Sequence, residues 1–288
     1  MADQLTRTSA TRTTVESSVG PLAALTAFPG HVVNPPVLLL VPGYTGSKED
    51  FAPILDPLVA EGFGVIAIDQ PGQHESPGPV EEAAYTPAAL GPVLQSVVSS
   101  LAADGPVILL GHSFGGLVAR DAVLSEAPVS GLVLLCSGPS AFVSGNRFDA
   151  LTAGAPVLRA SGAKALYDGG QVAAGLDPDD PNPLQQFFRR RFLASSPAAL
   201  LGMGGALLTE PDRTAQLAAV LDASGIPVAV IAGAADDAWP LDAQRQMAGA
   251  LGTELVLVAG GAHSPAVEAP RELVAILARL IRQWLPGA

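Results

Sequence analysis

The sequence predicts an α/β fold built on a mostly parallel sheet of about eight strands flanked by helices. Two observations lead to this prediction. Short apolar runs alternate along the chain with longer stretches in which apolar residues recur at helical spacing. Several of these runs end in glycine-rich or polar turns, which are typical of the carboxyl edge of a parallel sheet.

The elements follow in chain order, and the chain of 288 residues is long enough to bury a sizeable core. An opening hairpin is expected over 14–19 and 23–28. The apolar runs predict buried strands at 37–41, 64–68, 107–110, 131–136, 227–231 and 254–258. Helical spacing of apolar residues predicts helices at 48–61, 87–102, 117–125 and 271–284.

One connection is much longer than the others. About 85 residues separate Pro139 from Ile226, where an ordinary crossover needs about a dozen. Helix-like pieces divided by prolines fill this interval, and the strand pattern then resumes. We interpret the chain as a flexible N-terminal tail over 1–13, a core over 14–139 and 226–288, and a helical cap inserted over 140–225. The alternative is a second domain with its own core.

The composition is that of a globular chain, with 49% hydrophobic and 15% charged residues. No apolar run approaches the ~18 residues of a membrane-spanning helix, and the N-terminus lacks the apolar segment of a signal peptide. Cys136 is the only cysteine, so no disulfide can form within the chain. It lies in an apolar run and is expected to be a core residue. We therefore predict a cytoplasmic location.

Charge and histidine spacing bear on partners. The formal net charge of −12 argues against nucleic acid and against an anionic membrane surface. The four histidines are not spaced as metal ligands, so no metal site is predicted. The abundance of alanine, glycine and proline, with few lysines, indicates a bacterial genome. No feature predicts the oligomeric state.

The most informative motif is Gly-His-Ser-Phe-Gly-Gly at 111–116, directly after the predicted strand 107–110. A helix-compatible stretch follows it. A serine at such a strand-to-helix turn can be presented as a nucleophile. The alternative is that Ser113 only caps the helix.

An acid and a histidine follow later in the chain, each just beyond a predicted strand. Asp236 and Asp237 come after strand 227–231, and His263 lies on a glycine-rich loop after strand 254–258. A histidine can take the serine proton near neutral pH, and an aspartate can orient its ring. Either aspartate could fill that position by chemistry alone.

In these features the chain resembles the α/β-hydrolase superfamily over about 36–285, including its order of serine, acid and histidine. The resemblance implies Ser113 as nucleophile, His263 as base and Asp236 as the acid. It also implies an oxyanion hole formed by the backbone N–H groups of Tyr44 and Phe114. No cofactor and no metal are implied.

Four residues are candidates for the substrate pocket. They are Gly43 and Tyr44 on the turn after strand 37–41, His112 beside the nucleophile, and Trp239 after the acid. His112 has a plainer interpretation as a packing residue. The loop at 69–76 departs from the superfamily pattern, because His74 replaces a small residue.

The expected activity is hydrolysis of a carboxylic ester or lactone through an acyl-Ser113 intermediate. The expected partner is a small-molecule, largely apolar acyl substrate, because the predicted cap is rich in apolar residues. Acyltransferases, thioesterases, amidases, perhydrolases and C–C bond hydrolases would use the same triad. A third hypothesis is a non-catalytic ligand receptor on this scaffold.

Overall fold

The computed structural model describes residues 2–30 and 32–286. An eight-stranded sheet forms its centre, in the spatial order β1-β2-β4-β3-β5-β6-β7-β8. The first two strands pair antiparallel, as do the second and fourth, and all other neighbouring pairs are parallel. The predicted fold class is therefore confirmed. The strands are β1 Thr11–Val15, β2 Leu22–Ala27, β3 Val37–Val41, β4 Gly64–Ile68, β5 Val107–His112, β6 Gly131–Leu135, β7 Val228–Gly233 and β8 Leu255–Val258.

Helices cover both faces of this sheet. Short 3₁₀ segments at Lys48–Phe51 and Glu82–Tyr85 precede the first two α-helices. The helices are α1 Ala52–Ala60, α2 Pro87–Leu101, α3 Phe114–Leu124, α4 Asn146–Ala173, α5 Pro183–Ala194, α6 Pro197–Thr209, α7 Thr214–Ser224, α8 Leu241–Ala250, α9 Pro265–Glu268 and α10 Pro270–Trp284.

The central strands divide the core into two layers, because alternate side chains of a strand point to opposite faces. Leu39 and Leu109 pack with apolar residues of α2 and α3 on one face. Leu38 and Leu110 pack with α1 and α10 on the other. Strands β3 and β4 are buried along their whole length, which explains their unbroken apolar sequences. Cys136 is buried, as expected.

The N-terminal segment is more ordered than the predicted flexible tail. Strand β1 begins at Thr11, so part of the segment 1–13 pairs in register with β2. Ahead of it, the hydroxyls of Thr8 and Ser9 donate hydrogen bonds to Asp56 on α1, at 2.7 and 2.9 Å. These polar contacts, which apolar periodicity cannot reveal, fix the segment to the core.

The long connection between β6 and β7 contains four helices. Helix α4 packs on α5 and α6, and α6 packs on the 3₁₀ segment Glu82–Tyr85, whereas α7 packs on α3 and α8 beside the sheet. We call α4–α6 the inserted helices. No single helix of the described residues is long and apolar enough to cross a bilayer; α5 and α6 pass that test only together, and they bend by 96°.

Candidate active site

Ser113 occupies a strained turn between β5 and α3. Its backbone has φ 56° and ψ −122°, a region that costs a non-glycine residue about 1–3 kcal/mol. The Ser113 N–H donates to the Leu135 carbonyl at 2.9 Å, and the Ser113 carbonyl accepts from Gly116 N–H at 2.9 Å. Neighbouring strand and helix therefore hold the strained residue in place.

The glycines of the motif are required by close backbone packing. A Cβ at Gly111 would lie 2.2 Å from the Gly115 carbonyl oxygen, and one at Gly115 would lie 2.5 Å from the Pro42 carbonyl oxygen. At Gly116, the added atom would meet the Ser137 hydroxyl at 2.4 Å. The turn is therefore pressed against the loop after β3, and no side chain fits between them.

The structure brings Ser113, His263 and Asp236 together. His263 Nε2 lies 3.0 Å from Ser113 Oγ, and His263 Nδ1 lies 2.8 Å from Asp236 Oδ1. The three residues are far apart in sequence and follow the ends of β5, β7 and β8. Since these strands are parallel, their carboxyl ends meet at one edge of the sheet.

The two adjacent aspartates have different environments. The Asp236 side chain is fully buried, and its carboxylate accepts hydrogen bonds from Ala238 N–H at 3.0 Å and Gln244 Nε2 at 2.9 Å. Burial alone would raise the pKa of this carboxyl, but these hydrogen bonds and the His263 ring lower it below its ordinary value. Asp237 instead is exposed and pairs with Arg147 at 2.7 Å.

The backbone around His263 is fixed from two sides. Glu268 Oε2 accepts from Ala262 N–H at 2.5 Å and from Ser264 N–H at 3.1 Å. His112 Nε2 lies 2.6 Å from the His263 carbonyl oxygen, so this nitrogen carries the proton and donates it. Burial, followed by the nearby His263, lowers the pKa of His112 to about 4. His112 therefore stays neutral at pH 7 and holds the His263 loop.

The loop after β3 presents its amides beside Ser113. A Cβ at Gly43 would lie 2.9 Å from Ser113 Cβ, which shows how closely this loop approaches Ser113. Gln70 Nε2 donates to the Pro42 carbonyl and Gln73 Nε2 to the Gly43 carbonyl, both at 2.8 Å. The N–H groups of Tyr44 and Phe114 donate to no other described group.

A cavity of about 700 Å³ opens above Ser113. His112, Gly43 and Tyr44 line it, as does Gln4 from the N-terminal segment. Its rim also carries charged residues from the core and the inserted helices, among them Asp50, Arg147, Arg191, Asp237 and Glu268.

Two ion pairs cross this cavity from core to inserted helices. Arg147 on α4 pairs with Asp237, and Arg191 on α5 pairs with Asp50 at 2.6 Å. Trp239, expected in the substrate pocket, does not line this cavity. It is buried against Phe142 and donates to the Ser140 carbonyl at 2.9 Å.

Three groups of possible metal ligands occur among the described residues, and each is engaged otherwise. Two of them include His263, whose ring nitrogens contact Asp236 and Ser113. The third is Glu49, His74 and Glu75. There the buried Lys48 ammonium already lies 2.8 Å from Glu75 and 3.3 Å from Glu49.

Sequence reasoning missed the side chains that hold the site. Gln244 contacts Asp236, Glu268 fixes the His263 loop, and Gln70 and Gln73 fix the Tyr44 loop. Residues 70–73 lie in the loop 69–76, which departs from the superfamily pattern at His74. That departure was the available signal for a polar support, whereas nothing in the sequence distinguishes Gln244 from an ordinary helix residue.

Comparison with known proteins defines the class. The sequence pattern of the Alpha/beta hydrolase family matches residues 38–276, which is most of the chain. The chain therefore belongs to the alpha/beta hydrolase family, and the resemblance drawn from the motif is confirmed.

Individual relatives extend this comparison. The chain is 32% identical over 190 residues to a probable 1-acylglycerol-3-phosphate O-acyltransferase of Oryza sativa subsp. japonica; the match spans 63% of this chain and only 44% of the rice protein. A carboxylesterase structure from Nitrososphaera gargenis superposes with a TM-score of 0.72 at 22% identity, covering 96% of this chain and 100% of that one. An N-acyl homoserine lactonase superposes with 0.73 at 20% identity, covering 97% and 99%. At these identities the structural likeness is one of fold.

Proposed function

We propose that this protein is a serine hydrolase that cleaves a carboxylic ester or lactone through an acyl-Ser113 intermediate. The observation that carries the proposal is the continuous chain of contacts from Ser113 Oγ through His263 to the buried Asp236, at 3.0 and 2.8 Å. Both distances lie within the reach that proton transfer and ring orientation require.

In the proposed reaction, His263 Nε2 takes the Ser113 proton as Oγ attacks the carbonyl carbon. His263 then gives that proton to the leaving alcohol, and the bond to the leaving oxygen breaks. Water, deprotonated by His263, next attacks the acyl-Ser113 ester and releases the acid. Asp236 holds Nδ1 protonated and stabilises the imidazolium, and its lowered pKa keeps it charged at neutral pH.

The N–H groups of Tyr44 and Phe114 are the proposed oxyanion hole. Neither amide has another described acceptor, and Gly43 packs directly against Ser113. Two such donors stabilise the negative oxygen of the tetrahedral intermediate, and loss of one typically costs about 2.7–4 kcal/mol. Phe114 also begins α3, whose N-terminal dipole favours negative charge.

The inserted helices are the proposed cap. Arg147 and Leu151 of α4 and Arg191 of α5 line the cavity above Ser113, so these helices shape what reaches it. The sequence predicts a cap over 140–225, which includes α7, but the packing of α7 on α3 supports a shorter cap that ends before α7. A small-molecule acyl substrate and a cytoplasmic location complete the proposal; the cavity supports the first and the lone buried cysteine the second.

Ester and lactone hydrolysis tests the proposal directly. p-Nitrophenyl esters and simple lactones are assayed with the wild-type chain, with Ser113→Ala, and with Ser100→Ala as a control, because Ser100 is exposed on α2 and does not line the cavity. We expect Ser113→Ala to lose at least about 10⁴-fold in kcat, since residues of a triad act as a unit. Ser100→Ala stays close to wild type. Equal activity in Ser113→Ala would refute the proposed nucleophile.

Acyl transfer is the second candidate, favoured by the identity to the rice protein over 190 residues. An alcohol would then replace water in the attack on acyl-Ser113. Turnover of one ester in increasing glycerol or lysophospholipid distinguishes the two functions. A new ester that forms in preference to the free acid supports transfer, whereas release of free acid alone supports hydrolysis.

A further inference from the structure

A second cavity of about 680 Å³ lies among the inserted helices and the 3₁₀ segment Glu82–Tyr85. We call it the cap groove. Its volume is in the range of pockets for small organic ligands. The residues that form most of its surface are apolar: Leu151, Leu158, Leu166, Phe192, Leu200 and Leu208.

The cap groove adjoins the cavity above Ser113. Tyr44, Ala150 and Leu151 line both. At this junction a Cβ on Gly204 would lie 3.3 Å from both the Tyr44 hydroxyl oxygen and a Leu151 methyl carbon. The Tyr44 ring therefore extends from the nucleophile to α6. A ligand that is bound to Ser113 and extends along this ring would reach the groove.

The chemistry at Ser113 decides which end of a substrate can enter the cap groove. The leaving oxygen must reach His263 to take its proton, so the leaving group lies toward His263 and Ser264. Those residues line only the cavity above Ser113. The acyl chain points the other way, toward Tyr44 and Leu151.

We propose that the cap groove binds the acyl chain of the substrate, and that the substrates are esters of medium- to long-chain acids. This inference rests on the proposed function and specifies its substrate class. Each buried methylene contributes enough transfer free energy to raise kcat/KM by up to about fourfold. The rise continues along the series until the chain leaves the groove.

Gly205 offers a way to fill the groove without disturbing the fold. It lines the groove from α6, and a Cβ added there meets nothing within 4 Å. Gly249 on α8 is likewise exposed with nothing within 4 Å, but it lies outside both cavities. Gly205→Phe is therefore the test variant and Gly249→Phe its matched control.

The experiment measures kcat/KM for p-nitrophenyl esters from acetate to dodecanoate. We expect the wild type and Gly249→Phe to prefer decanoate over acetate, and Gly205→Phe to lower that ratio at least tenfold (about two methylenes of binding). A second series, acetate esters of lengthening alcohols, stays flat. Gly170→Phe repeats the test from α4. Its neighbour gives the control, Gly169→Phe, because of these two residues only Gly170 lines the groove.

The inference is overturned by a flat acyl series, by a rise in the alcohol series instead, or by an unchanged ratio in both groove variants. None of these outcomes would contradict ester hydrolysis at Ser113. Loss of turnover on every ester by a folded wild-type chain would instead refute the proposed function, and the acyl site with it.

Discussion

The turn around Ser113 and the inserted helix α4 use glycine in opposite ways. A Cβ at Gly111 or Gly115 would lie within 2.5 Å of backbone oxygen, whereas one at Gly169 or Gly170 meets nothing within 4 Å. The same residue type marks a position fixed by its surroundings in one region and an open surface in the other. The proposed chemistry lies where the backbone is fixed, and the proposed specificity lies where it is free to vary.

The adjacent aspartates give the strongest test of this comparison. Asp236 is buried in the fixed region, whereas Asp237 is exposed at the cavity wall. Asp236→Asn should lower kcat by about 10⁴-fold, because the His263 tautomer is no longer held. Asp237→Asn removes only the Arg147 ion pair and should change kcat less than about threefold, since exposed pairs are weak. Steady-state kinetics on one ester checks both. The reverse order of effects would assign Asp237 as the orienting acid.

Glycine substitutions test the comparison through stability. Gly115→Ala forces a Cβ to 2.5 Å from the Pro42 and Val41 carbonyl oxygens, and should lower the free energy of unfolding by about 3 kcal/mol. Gly169→Ala, exposed on α4, should raise it by about 0.5–1 kcal/mol through helix propensity. Urea unfolding measures both. Two changes of the same sign and size would show that the regions do not differ in this way.

Substitutions of His112 test whether this residue positions His263, the proposed base. His112→Leu removes the hydrogen bond to the His263 carbonyl and should lower kcat about tenfold with little change in KM. His112→Gln keeps a donor and should recover most of that loss. If both variants lose the same activity, His112 acts only by packing. If only KM changes, His112 acts by contact with substrate.

The pH dependence of stability gives a smaller effect at the same residue. The folded pKa of His112 is about 4, below the ordinary value of about 6.5. Between these values the unfolded chain binds a proton that the folded chain does not, so stability falls as the pH drops from 6.5 toward 4. The wild-type Tm should therefore drop more between pH 7 and pH 5 than that of His112→Gln. Parallel curves would contradict this assignment.

The sequence predicted most of the fold because its signals are local. Strands β3 and β4 have the predicted bounds, since an apolar run buried on both faces is recognisable without tertiary information. The segment before Thr11 was missed because polar hydrogen bonds to Asp56 hold it. Helix α4 was predictable only as part of the helix-like interval 140–225, because a kink at Gly162 leaves little apolar periodicity.

The candidate site was predictable in its proposed reacting groups but not in the side chains that support them. Ser113, Asp236 and His263 follow strand ends, where position in the chain indicates position in space. The supports Gln244 and Glu268 act by contacts that only the folded chain creates. Trp239 shows the opposite error: it is next to a strand end, yet its ring turns inward onto Phe142.

Covalent labelling tests the central claim most directly. The wild-type chain and Ser113→Ala are treated with a fluorophosphonate, and intact mass is measured after each is shown to be folded. An activated Ser113 predicts a single adduct on the wild type and none on Ser113→Ala. A folded wild-type chain that forms no adduct, or an adduct that persists in Ser113→Ala, would contradict the account and favour a ligand receptor on this scaffold.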